Sequence, residues 1–168
     1  MIVLQTFWQL LFLKNTPETI PYSRYLLGVT LALHLLLGLG LGSIGQPIAT
    51  ALASAVVGTA LLVGSSYLLL MLHGMRNRFV QAATAAAGCE ILLGVLTLPI
   101  DIWLFPADKA NAQLVLLLWL MLMGWNVAVI AHIWRHAVTV PKWQSFLYAI
   151  AYVIVSIALA LLFQAPEG

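Results

Sequence analysis

Five apolar stretches, each close to the ~20 residues that a helix needs to cross a bilayer core, follow one another along a chain of 168 residues. They run at about Ser23–Ser43, Ala49–Leu72, Phe79–Ile100, Gln113–Trp134 and Gln144–Phe163, and Gly42, Gly45, Pro47, Gly74, Pro99, Pro106 and Pro141 separate them. A backbone in hydrocarbon must satisfy its own hydrogen bonds, which leaves helices or closed barrels. The alternation of barrel strands is absent. The pattern therefore predicts an all-α polytopic membrane protein, a bundle of five transmembrane helices over residues 23–163. Composition agrees: 7% of residues are charged, against roughly 25% in a soluble domain. The longest connection, Pro99–Asn111, is too short to fold alone and carries Trp103, Leu104 and Phe105 to rest on the membrane surface.

Residues 1–22 precede the bundle. Met1–Leu13 is apolar but has neither the positive start nor the small-residue cleavage site of a signal peptide, and we expect it to be retained. At a rise of about 1.5 Å per residue it reaches only ~20 Å and does not span. Gln5, Thr6 and Gln9 form a narrow polar face opposite Phe7, Trp8, Leu11 and Phe12. That pattern suits an amphipathic helix in the interface, or a short helix packed on the bundle. Lys14–Pro21 is a linker whose prolines stop one helix before Ser23 starts the next. Residues 164–168 are a short tail.

Basic residues set the orientation. With the N-terminus in the cytosol, Lys14, Arg24, Arg76, Arg78, Arg135 and Lys142 share the inner side and only Lys109 lies outside, while Asp101, Asp108 and Glu167 also fall outside. Trp103 and Trp143 sit at opposite faces, as interfacial anchors do. In a bacterial inner membrane the C-terminus would then be periplasmic.

A charged residue in hydrocarbon demands a partner or a purpose. Glu90 lies about ten residues, or ~15 Å, into the third span, near the midplane. His34 lies about as deep in the first. Small residues flank both at a spacing of four, which keeps them on one helix face: Thr30, His34, Gly38 and Gly42 on the first span, Ala82, Ala86, Glu90 and Gly94 on the third. Such faces let helix backbones approach closely. We therefore expect the first and third spans to pack through these stripes and Glu90 to bond His34. Ser65 and Ser66 on the second span, Asn126 on the fourth, and Tyr152 on a Tyr148, Tyr152, Ser156, Ala160 line of the fifth complete a polar interior. Two roles stand open for it. One is interhelical glue, worth about 0.6 kcal/mol per hydrogen bond; the other is a proton or ion relay, because His and Glu change protonation near neutrality once burial shifts them.

Other chemistry finds little support. Cys89 is the one cysteine, so no intramolecular disulfide or thiolate cluster can form. A net charge of +2 without a basic run argues against nucleic acid. No phosphate-binding loop, metalloprotease pattern or nucleophile elbow occurs; Gly38–Gly42 is glycine-rich but lies inside a span and reads as close packing. His132 and His136 share a helix face at the spacing that can hold a metal, yet have no acidic partner nearby, and His73 with His132 is the pair that could reach a bis-histidine haem geometry. Neither a metal nor a cofactor is expected. Arg76, Arg78, Arg135 and Lys142 form a cytosolic basic rim suited to anionic headgroups or an acidic partner.

The close-set five-helix layout, the amphipathic start, and a fourth span carrying Trp125, Asn126 and Ala131-His132-Ile133-Trp134-Arg135-His136-Ala137 resemble bacterial Yip1-like integral membrane proteins. The long acidic, aromatic cytosolic segment of the eukaryotic trafficking relatives is missing, so their partner binding does not carry over. The resemblance implies a non-enzymatic integral protein whose family has no established catalytic residues. Small-residue faces, short loops and missing catalytic motifs lead to an accessory or scaffold subunit that assembles with other membrane proteins or with itself. The alternative is a small translocator, proton-coupled through His34 and Glu90.

Overall fold

A computed structural model of the chain describes residues 2–104 and 109–163, and every regular element among them is helical. Helix α1 covers Ile2–Leu11, and five long helices follow: α2 (Arg24–Gly42), α3 (Ile48–Leu72), α4 (Phe79–Leu104), α5 (Lys109–Val138) and α6 (Lys142–Phe163). Each of α2 to α6 is long and apolar enough to cross a membrane. Large apolar side chains such as Leu36, Leu72, Leu117, Met121, Ile154 and Leu162 are more than half exposed on the outside of the bundle, a surface compatible with lipid rather than water. Residues 105–108 and Glu167 lie outside the described residues, as do the side chains of Asp101, Trp103, Leu104 and Lys109, so the expectations for the outer loop and its acids fall there too.

The ends of the helices follow from local chemistry. Ser23 caps α2, its hydroxyl accepting from Leu26 N at 3.2 Å. After α3 the chain enters the left-handed region at Gly74 (φ 72°), with Met75 N donating to Leu70 O and Gly74 N to Met71 O; only glycine takes this conformation without steric cost. Leu13 (φ 58°) ends α1 in the same way, with Lys14 N bonded to Gln9 O. Boundaries differ from expectation at the end of α4 and at both ends of α5, which begins at Lys109 rather than near Gln113. Helix α4 continues through Pro99 to Leu104, since neighbouring helices and local adjustment let an apolar helix absorb the missing donor. Helix α5 runs on past Trp134 to Val138, its last turn carrying Arg135 and His136 at the negative end of the helix dipole.

The five long helices form a ring in the order α2, α3, α6, α5, α4 and back to α2. Helix α4 is its hub: 44% of its most apolar stretch is buried, against 6% for α2. At the end bearing Arg76 and Arg78, α3 also reaches across to α4 and α5. There Leu62, Leu69 and Leu70 fill the interior against Ala82, Ala86, Val129, Ile133 and Trp134.

The expected stripe-to-stripe contact of the first and third spans takes another form. Gly38 and Gly42 face α3, where Cβ atoms placed on them would meet Ala55 Cβ at 3.4 Å and Ala51 Cβ at 3.1 Å. Ala51, Ala55 and Thr59 form a spacing-four stripe that runs antiparallel to Gly42, Gly38 and His34. Small residues on both helices bring those two backbones together. Helix α2 does pack on α4, with Gly94 receiving Leu37, whose Cδ2 would lie 2.7 Å from an added Cβ.

Helix α1 packs on the bundle. Phe7, Leu10 and Leu11 are buried against α4 and α5, and the Phe7 ring occupies the space that a side chain at Gly88 would need. Gly88 lies well inside α4, about 14 Å along its axis from Phe79. The linker then runs back along the bundle: Trp125 Nε1 donates to Leu11 O at 3.1 Å, His132 Nε2 to Asn15 O at 2.8 Å, and Gln81 Nε2 to Ile20 O at 2.7 Å.

Candidate intramembrane polar site

The ring brings four polar side chains together at mid-height. His34 Nε2 lies 2.8 Å from Glu90 Oε2, and the two side chains are only 16% and 12% exposed. Tyr152 OH donates to the other carboxylate oxygen at 2.9 Å. His34 Nδ1 lies 3.0 Å from Thr59 Oγ1, whose own hydroxyl donates to Ala55 O at 2.8 Å. Helices α2, α3, α4 and α6 each contribute one group.

These bonds are compatible with a proton on His34 Nδ1. The Thr59 proton is engaged by Ala55 O, so the Thr59 oxygen accepts, and His34 carries a proton on Nδ1. Nε2 is thereby left to Glu90. A single proton across this 2.8 Å bond fits either of two arrangements, imidazolium with carboxylate or neutral imidazole with carboxylic acid. Both have the same net charge. That removes much of the cost of an isolated charge in an apolar interior.

A cavity of about 280 Å³ adjoins the pair. It extends away from the Arg76/Arg78 end between α2, α4, α5 and α6, and its lining combines His34, Glu90, Asn126, Tyr152, Thr97 and Ser156 with Leu37, Leu93, Trp119, Met123 and Ile157. Its size is near the lower bound of ligand pockets. Asn126 Oδ1 is buried and meets no donor, an uncommon condition in a folded interior.

The other residues singled out by sequence lie elsewhere. Ser65 bonds Leu62 O, and Ser66 accepts from Trp134 Nε1 at 3.4 Å, both on the packed half of the bundle. They do not join the polar centre, because their depth on α3 is one to two turns nearer the Arg76 end than Thr59. Tyr148 accepts from Gln144 and stacks on His73, whose Nδ1 bonds Leu69 O. His132 and His136 lie 4.6 Å apart between ring centroids; His132 is engaged by Asn15 O, and among the described residues no group of three or more His, Cys, Asp or Glu gathers for a metal. Of the basic rim, Arg78 pairs with Glu18 at 2.9 Å and donates to His136 O at 3.2 Å, tying the linker to α4 and α5. Arg76 and Lys142 are exposed, and Arg135 is half-buried.

Thr59 escaped sequence reasoning. A threonine inside an apolar helix ordinarily bonds its own i−4 carbonyl, and Thr59 does so, which hides its remaining lone pair. The signal was the Ala51, Ala55, Thr59 spacing, which repeats the stripe of α2.

In comparisons with protein-family models, with curated proteins and with solved structures, no match is found. The class defined by fold and site is that of a multi-pass α-helical bundle with a polar centre.

Proposed function

We propose that this protein binds and moves a small solute in step with a proton at the His34–Glu90 pair, as a non-enzymatic inner-membrane translocator. The observation that carries this reading is the bonded pair itself: an imidazole bonded to Thr59 through Nδ1, 2.8 Å from a carboxylate, beside a cavity of about 280 Å³. Interhelical glue needs the bonds but not the cavity. The six inner-side basic residues support a cytosolic N-terminus and a periplasmic C-terminus.

The test reads the ring nitrogens of His34 directly. In nanodiscs, ¹⁵N spectra of His34 recorded over a range of pH are expected to change reversibly, and to lose that response in Glu90→Gln. A spectrum constant over this range makes the pair structural.

A second reading, an accessory or scaffold subunit or a homo-oligomer of the Yip1-like kind, draws on another observation. Gly28, Gly40, Gly64 and Gly124 are exposed and have no neighbouring atoms within 4 Å of an added Cβ, leaving room for another helix to approach. Gly38, Gly42 and Gly94 are already engaged within the bundle and lend it no weight. Co-purification in mild detergent with one protein at fixed ratio supports assembly, whereas activity in liposomes by the chain alone supports translocation.

A further inference from the structure

The chemistry of the cavity selects its occupant. Around the carboxylate the nearest donors are engaged: the Tyr152 hydroxyl and His34 Nε2 on Glu90, His34 Nδ1 on Thr59, and the Thr97 hydroxyl on Gly94 O; the donors left free along the wall, Asn126 Nδ2, Trp119 Nε1 and the Ser156 hydroxyl, are neutral. Acceptor capacity is left over. Each Glu90 oxygen keeps a lone pair, the Tyr152 oxygen can still accept, and Asn126 Oδ1 is buried without a donor. No Lys or Arg lines the cavity, so once His34 gives up its Nε2 proton the site has one uncompensated negative charge. The remaining wall is apolar and includes Trp119, the aromatic type that best accommodates an organic cation.

From these features we infer that the cavity takes a small organic ammonium ion with an apolar body and an N–H donor, and that this ion displaces one proton from the His34–Glu90 pair. The inference rests on the proton-linked reading above. Before binding, the pair holds one proton between His34 Nε2 and Glu90. The ammonium brings its positive charge to the carboxylate and its N–H donors to Glu90 and Asn126. The Nε2 proton leaves to solvent, and His34 remains neutral with its other proton on Nδ1, toward Thr59. One positive charge enters and one leaves, and only an N–H bond is broken. The same competition on both sides of a membrane makes an exchanger of ammonium for proton.

The experiment is calorimetric titration of the full chain in lipid nanodiscs with benzylammonium, using benzyl alcohol and benzoate as neutral and anionic comparators and two buffers of different ionisation heat. Saturable binding is expected for benzylammonium alone, with one proton released per ion. Its apparent affinity is expected to rise by about tenfold per pH unit while both the pair and the amine stay protonated, as exchange against one proton requires. Glu90→Gln and Asn126→Leu are each expected to weaken binding by about tenfold or more, the scale of a hydrogen bond to a charged group. Asn126→Leu keeps the pair intact and so serves if Glu90→Gln fails to fold. Preference for benzoate, equal binding of benzyl alcohol, or binding without proton release overturns the inference. If benzylammonium fails to bind while the His34 spectrum still responds to pH, the ammonium assignment falls and the proton-linked reading stands.

Discussion

Replacing Thr59 by valine keeps the shape of the side chain and removes the acceptor of His34 Nδ1–H. A buried donor left unsatisfied costs about 1–3 kcal/mol, so Thr59→Val is expected to lower the thermal midpoint in detergent, and Thr59→Ser to restore it. The pair itself makes a sharper case. Removing one member of a buried ion pair costs about 3–5 kcal/mol, while replacing both by apolar groups is often neutral. His34→Leu is therefore expected to destabilise strongly, and His34→Leu with Glu90→Leu to recover near-native unfolding while losing the proton response. Equal destabilisation by the single and double variants counts against a coupled pair. Depth counting along the spans was enough to put His34 beside Glu90, because the constant rise of a helix, measured from a shared membrane face, is a strong constraint. The same depth argument reaches Tyr152. Ser65 and Ser66 look equivalent by residue type, and their depth on α3, one to two turns nearer the Arg76 end than Thr59, separates them from the centre.

Among the elements, α2 and α3 illustrate what spacing reveals and what it withholds. The stripe Thr30, His34, Gly38, Gly42 was legible as a packing face; its partner was not, since Ala82, Ala86 and Gly94 on one helix and Ala51 and Ala55 on another offer the same small-residue signal. Contact geometry resolves it, because a Cβ placed on Gly42 would lie 3.3 Å from the Ala51 Cα. Backbone cannot retreat as a flexible side chain can, so Gly42→Val is expected to force α2 from α3 and cost about 1–3 kcal/mol, typical of overpacking. Gly94→Ala meets only the movable end of Leu37 and is expected to cost less. Parallel thermal unfolding of the two variants checks the order. On the α1 side, Gly88→Leu fills the seat of the Phe7 ring. It is expected to detach α1 and expose the linker near Thr16–Ile20 to protease, with the five long helices intact by circular dichroism.

At the scale of the whole molecule, five spans were readable from hydropathy alone, because a bilayer accepts few alternatives to a helix of that length. The placement of α1 was not, since a short apolar segment fits equally well on a lipid interface or on a protein groove. Cys89 provides a test of that placement. It is fully buried, with Sγ 3.8 Å from Phe7 O, so a membrane-permeant maleimide is expected to leave the native chain unlabelled and to label it rapidly in Phe7→Ala. Equal labelling of the two contradicts α1 as its cover. The contacts that hold α1 and its linker join positions 82, 114 and 117 apart in sequence. During synthesis α1 is made before its seat and has nowhere to dock until α4 and then α5 exist. It waits, apolar and without its seat, while the intervening helices are made.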